Sequence, residues 1–213
     1  MISIIGVVLL SYIIGSVPTS IILSKFLKGI DIRDFGSGNP GGTNVLRTLG
    51  WGPGLVVIFV DVAKGWVAAF YIASLGYENG ILSPMLVQII AGVSAILGHV
   101  YTVFARFKGG KGVGTAAGML LAIYPVALIF CLIVFVIVAF TSKFISLASM
   151  LAAITLPVSL YLLELYAGSS TPPVQFYFAL FVMLFILYTH RSNIRRLLKG
   201  EENRFGVKSG NPE

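Results

Sequence analysis

Charge is scarce in this chain of 213 residues: Asp, Glu, Lys and Arg together make up 11%, less than half the roughly 25% usual for soluble domains. Acidic residues are the scarcer kind, 8 against 15 basic ones, which leaves a net charge of +7. Cysteine occurs once. Cys131 lies in an uncharged apolar run, so an internal disulfide is excluded and the thiol reads as a packing residue. Histidine occurs twice, and no His, Cys, Asp or Glu cluster has metal-ligand spacing, so no metal centre is expected. No G-x-S-x-G elbow is present. No H-x4-D acyltransferase box is present either: Phe104 stands four residues after His99, and Ile194 four after His190. The same shortages exclude disorder, a coiled coil and a disulfide scaffold.

What fills the chain instead is apolar. AVILMFWYC residues make up 57%, against about 45–50% in soluble domains even with glycine counted, and the mean hydropathy is +0.94. Such a chain cannot cover itself with polar groups, so its solvent is lipid. Nearly uncharged runs cover Met1–Ser24, Leu55–Leu75, Ser83–Val103, Val113–Ser142, Phe144–Leu163 and Val174–Thr189. A helix needs about 20 residues to cross the hydrocarbon, which gives six spans. Lys25, Lys28 and Arg33 follow the first run, so the amino terminus is expected outside. The first run is not read as a cleaved signal peptide, because no positive charge precedes it and further spans follow.

Six spans would also put the tail outside, yet that tail carries Arg191, Arg195, Arg196, Lys199, Arg204 and Lys208. Splitting Val113–Ser142 near Tyr124-Pro125 gives seven spans and restores the positive-inside pattern. Lys143 then turns inside, and the loops Gly76–Leu82 and Ala167–Pro173 turn outside. Fourteen of the 15 basic residues fall on the cytoplasmic side and Lys64 within a span. Thirty residues of helix rise only about 45 Å, so both middle helices should be short or re-entrant. Five spans would satisfy parity as well. The expectation is one all-α, polytopic membrane domain over residues 1–213, with seven transmembrane helices and a cytoplasmic carboxyl terminus.

Polar and glycine-rich sequence gathers in three cytoplasmic segments, Lys25–Gly52, Phe104–Gly112 and His190–Glu213, so function is sought there. Gly36-Ser37-Gly38-Asn39-Pro40-Gly41-Gly42 is too rich in glycine for a helix and lets backbone amides converge on a ligand. Ser37, Asn39, Thr43 and Asn44 add side-chain donors, and Arg47 adds a fork suited to phosphate. The plainer reading is a connector in which Asn44 opens a short interfacial helix. In Lys108-Gly109-Gly110-Lys111-Gly112-Val113, glycines precede a helix start. This is not a Walker A loop, since Gly rather than Ser or Thr follows Lys111. It still has the mechanics of an anion site, with amides, helix dipole and Lys111 on one phosphate. The plainer reading makes these glycines helix-packing positions, which suits Gly118. In the third segment His190 and Asn193 share a face if the helix continues, and its arginines suit lipid headgroups. His99 reads as packing, and Asp61 with Lys64, one turn apart inside a span, as a structural pair.

Together these segments resemble the bacterial integral-membrane, acyl-phosphate-dependent glycerol-3-phosphate acyltransferases, the PlsY family, from about Met1 to Phe205. The resemblance rests on Gly36-Ser37-Gly38-Asn39 with Thr43-Asn44-Val45-x-Arg47, and on Gly98-His99-x-Tyr101-x3-Ala105-x-Phe107 through Val113. Ser146-Leu147-Ala148-Ser149 and His190-x2-Asn193-x2-Arg196-Leu197-Leu198-x-Gly200 complete it. It implies transfer of a fatty acyl group from acyl phosphate to the 1-hydroxyl of sn-glycerol 3-phosphate, at the cytoplasmic face of the bacterial inner membrane, with no cofactor. It implies that Lys111, Gly109, Gly110 and Gly112, assisted by Arg47 and Ser146, hold glycerol phosphate. Ser37, Gly38 and Asn39, beside Thr43 and Asn44, would cradle the acyl phosphate or the developing oxyanion, and His190 and Asn193 would orient the hydroxyl. Glu202 falls at a family acidic position with a structural look. A transporter for a phosphorylated metabolite is the competing class, favoured only by Asp61 and Lys64. Nucleic acid is not an expected partner, because the positive charge follows membrane orientation.

Overall fold

The computed structural model describes residues 2–77, 82–167 and 173–206, and among these every regular element is helical. The loops expected outside, Gly76–Leu82 and Ala167–Pro173, lie largely beyond the described residues. Two compact units divide the chain, Met1–Ile123 and Tyr124–Phe205.

The first unit holds α1 (Ile4–Ser16), α2 (Thr19–Lys28), α3 (Gly42–Leu49), α4 (Trp51–Val67), α5 (Pro84–Val100) and α6 (Val113–Ile123). The first apolar run is therefore two helices. Pro18 has no N–H to continue the ladder, and the backbone turns at Val17. Carbonyls freed inside lipid must find donors: Thr102 Oγ1 donates to Ser16 O, and Lys64 Nζ donates to Val17 O at 3.1 Å. Asp61 and Lys64 pair at 2.8 Å as the sequence suggested. Helix α4 runs on as a π-helical turn over Ala68–Ile72.

Two helix pairs in this unit meet backbone to backbone, α1 with α5 and α4 with α6. A Cβ on Gly15 would overlap Ala95 O, and one on Gly98 would overlap Tyr12 O. Gly65 stands in the same way against Thr115 O, and Gly118 against Val62 O. With no hydrophobic drive between helices in lipid, such small-residue contacts let dispersion hold the pair. The packing role given to Gly118 is what the structure shows. A separate cluster of Ile21, Ile32, Val45, Val57 and Ala105 fixes α3 and the segment before it against α4.

The second unit holds α7 (Pro125–Ser142), α8 (Ile145–Ala167), α9 (Pro173–Thr189) and α10 (Arg191–Lys199). Cys131 is buried in α7. The break expected at Tyr124-Pro125 is present, with α6 ending at Ile123 and α7 starting at the proline. Only one of the two middle helices is short, however. Helix α6 has 11 residues, about 16 Å, whereas α7 has 18 and is long and apolar enough to cross. Tyr124-Pro125 divides the run unequally because the polar loop before Val113 fixes where α6 begins. Among the described residues five helical segments are long and apolar enough to span, and α9 with α10, bent by 57°, makes a sixth candidate.

Candidate active site

In the first unit the glycine-rich segment after α2 is a folded loop. Asp31 opens a 3-10 turn over Ile32–Asp34 by accepting from Arg33 N at 3.1 Å. The Arg33 guanidinium, hydrogen-bonded to Asp31, holds that carboxyl down to about 2 from the usual 3.8. Asn44, on the first turn of α3, is 2% exposed. Its Nδ2 donates to Ile32 O at 3.1 Å and Phe35 O at 2.9 Å. Its Oδ1 accepts from Ser37 N at 2.9 Å. These three bonds go to the backbone, so Asn44 shapes the loop, and both Nδ2 hydrogens expected to serve a ligand are taken by Ile32 O and Phe35 O. The short helix is present, but it opens at Gly42 behind Gly41 and not at Asn44. Gly36 and Gly38 have φ of +59° and +71°, the left-handed region that side chains resist. Ser37 and Asn39 are half-buried on this loop, with Thr43 and Arg47 following on α3.

The second loop corrects a further expectation. Gly109 N–H donates to Val100 O at 3.0 Å and Gly110 N–H to His99 O at 3.1 Å. Both amides are therefore spent on the last carbonyls of α5 and cannot cradle a phosphate. Glycine is needed there because a Cβ on Gly110 would overlap the His99 ring. One step on, the chain enters a helix start. Gly112, at φ +85°, turns the chain into α6, whose first-turn amides have no intrahelical acceptors. Lys111, half-buried, stands beside that helix start. Amides, dipole and ammonium at one helix end suit a phosphate dianion.

The second unit builds a different cluster. His190 lies at the bend between α9 and α10, so the helix expected to continue through it does not. The ring is 2% exposed, and Nδ1 donates to Ile186 O at 2.8 Å. A neutral ring so held keeps Nε2 as its acceptor nitrogen. Asn193 is 3% exposed and donates through Nδ2 to Glu202 Oε1 at 2.7 Å. Ser146 Oγ donates to the same oxygen at 3.0 Å, and Arg196 Nε to Oε2 at 2.8 Å. Glu202 thus gathers Ser146 from α8 and two residues of α10. The sequence signalled it only through the family resemblance, because nothing in spacing connects positions 146 and 202. Glu202→Ala is expected to lower the thermal midpoint in detergent by several degrees, since it leaves a part-buried guanidinium and two donors without their carboxylate. Losing one partner of a buried pair costs about 3–5 kcal/mol; Arg196 is 29% exposed on its side chain, so the low end applies. An unchanged midpoint would show that the carboxylate carries no load.

Comparison with known proteins shows the family. The family model described as glycerol-3-phosphate acyltransferase matches residues 5–200. The chain is 46% identical to a glycerol-3-phosphate acyltransferase of Pelodictyon phaeoclathratiforme, over 98% of this chain and 100% of that one. It is 47% identical to one of Chlorobium phaeobacteroides, over 96% and 97%. Among solved structures it is similar to PlsY, an integral membrane glycerol 3-phosphate acyltransferase, in its glycerol 3-phosphate form, with a TM-score of 0.83 at 37% identity over 95% of this chain and 96% of that one. The lysophosphatidic acid form of PlsY gives 0.79 at the same identity, over 95% of each chain. With nearly the whole length matched and the glycine loops falling inside the match, the chain belongs to the glycerol-3-phosphate acyltransferase family.

Proposed function

We propose that this protein transfers a fatty acyl group from acyl phosphate to the 1-hydroxyl of sn-glycerol 3-phosphate, the opening step of bacterial phospholipid synthesis. The observation that carries the reading is the start of α6, where Lys111 accompanies the first-turn amides of an apolar helix. Glycerol 3-phosphate and acyl phosphate both present a phosphate to such a group. The hydroxyl oxygen attacks the acyl carbon, the O–H bond and the C–O bond to phosphate break, and an ester C–O bond forms. The proton and phosphate are released. A mixed anhydride carries a good leaving group, so positioning and charge stabilisation supply the catalysis and no covalent intermediate is needed.

Lys111, Gly112 and the amides after it are assigned to the phosphate of glycerol 3-phosphate, with Arg47 and Ser146 assisting. Ser37, Gly38 and Asn39, with Thr43, are assigned to acyl phosphate. His190, through Nε2, and Asn193 are assigned to orienting the hydroxyl. Purified protein in detergent is expected to release phosphate from palmitoyl phosphate only when glycerol 3-phosphate is added. Acylation from acyl-CoA and not from acyl phosphate would overturn the donor assignment.

Seven spans, an outside amino terminus and loops that work at the cytoplasmic face of the inner membrane complete the reading. The distribution of Lys and Arg supports them. A cysteine introduced at 168–171, after Cys131 is replaced, is expected to react with an impermeant thiol reagent in intact cells. Labelling only after lysis would overturn this topology.

A further inference from the structure

Asp61 and Lys64 contact each other on α4 at 2.8 Å, with side chains only 8% and 5% exposed. His99, on the last turn of α5, brings Nδ1 to 3.6 Å from the same Asp61 oxygen. Lys64 Nζ is also bound to Val17 O at the break between α1 and α2. Charges buried in this way are expensive, and apolar side chains of similar volume hold helices together at least as well. Packing alone is therefore a poor reason for three ionisable groups here, so their other contacts matter.

On its cytoplasmic-loop side the cluster shares one small cavity with Gly109 and Gly110. Gly110 rests against the His99 ring, with no room for a Cβ between them, and Gly109 rests against the His99 carbonyl. The amides of both glycines are bonded to the end of α5. The ring is thus the floor of the loop. Asp61 sets the ring, Lys64 sets Asp61, and the Val17 carbonyl sets Lys64. Lys111 is the next residue after that floor.

We infer that Asp61, Lys64 and His99 are positioning residues for the glycine-rich loop: by fixing the imidazole they fix the loop, and so the aim of Lys111 and the α6 amides at the phosphate of the acceptor substrate. The identity of that substrate rests on the function proposed above; the chain of contacts does not. None of the three is assigned a contact with substrate.

The test separates aim from stability. Asp61→Leu combined with Lys64→Met removes both charges at similar volume, so neither is stranded. Its thermal midpoint in detergent is expected to stay within a few degrees of the parent, because removing two buried charges offsets the loss of the Lys64 donor to Val17 O. Its KM for glycerol 3-phosphate is expected to rise at least tenfold, with kcat and the KM for acyl phosphate changed less than threefold. An unchanged KM for glycerol 3-phosphate in the folded double variant would overturn the inference. If that variant does not fold, Gly110→Ala, His99→Ala and their combination decide. Each single change is expected to raise that KM, and the combination to raise it no further than the worse single one, because both act through one contact. Multiplying effects would overturn the inference. If the parent protein does not acylate glycerol 3-phosphate at all, the function proposed above has failed on its own. Binding of inorganic phosphate to the same variants, by calorimetry, then gives the answer: a tenfold loss supports positioning and unchanged affinity overturns it.

Discussion

Lys111→Ala is expected to cut kcat/KM for acyl transfer at least about 100-fold while the protein stays folded, with the thermal midpoint within a few degrees of the parent. Lys111 is half-buried beside the start of α6, where water competes weakly for a phosphate and an ammonium is worth more than at an open surface. Removing one preorganised electrostatic group from a transition-state cradle costs about 10²–10³ in rate. The α6 amides remain in the variant, so residual activity above background is expected. Lys111→Arg keeps the charge and changes the donor geometry; it should fall between alanine and the parent. The measurement is phosphate release from palmitoyl phosphate with glycerol 3-phosphate varied. Activity within tenfold of the parent for Lys111→Ala would show that the anion site at α6 is wrongly assigned.

The second large effect is structural. Gly118→Ala is expected to disrupt the α4–α6 pair, because the added Cβ would overlap Val62 O and crowd Trp66 N at 2.9 Å. Both obstacles are backbone, and neither can rotate away. Gly65 meets Thr115 O from the opposite helix, so the approach is tight in both directions and sliding one helix does not relieve it. Overpacking typically costs 1–3 kcal/mol, occasionally more, and this position belongs at the upper end. The expected reading is a fall of about 10 °C in thermal midpoint and poor recovery from membranes. Activity should fall as well, since Lys111 leads directly into α6. Gly6→Ala is the control. The nearest atom to its Cβ is Ile2 Cβ at 3.4 Å, so only helix propensity changes, by up to about 1 kcal/mol in favour of alanine. Equal midpoints for the Gly118 and Gly6 variants would refute backbone contact between α4 and α6.

The breaks in the helices could be read from the chain because their causes are local. Pro125 starts α7 where the charge pattern required a break, and glycine density before Val113 marks the loop that leads into α6. Helix α7 is longer than expected, because the break at Tyr124-Pro125 gives it 18 residues of Val113–Ser142 and leaves 11 to α6. Asn44 and the Gly109–Gly110 amides were misassigned for a different reason. A donor's availability depends on which carbonyl lies opposite, and those carbonyls belong to Ile32, Phe35, His99 and Val100, which the fold brings close.

By itself the sequence determined that this protein lives in lipid, that it is helical, that its polar chemistry sits in three segments, and which family those segments resemble. Composition and local breakers suffice for these, since each depends on residues adjacent in the chain or on totals. Only the tertiary structure decided that His99 joins Asp61 and Lys64, and that Glu202 binds Ser146, Asn193 and Arg196. It also decided that the Gly109 and Gly110 amides are taken by the end of α5. Hydrogen bonds and ion pairs act over about 3 Å, and their partners here come from helices brought together by packing, which no spacing along the chain records.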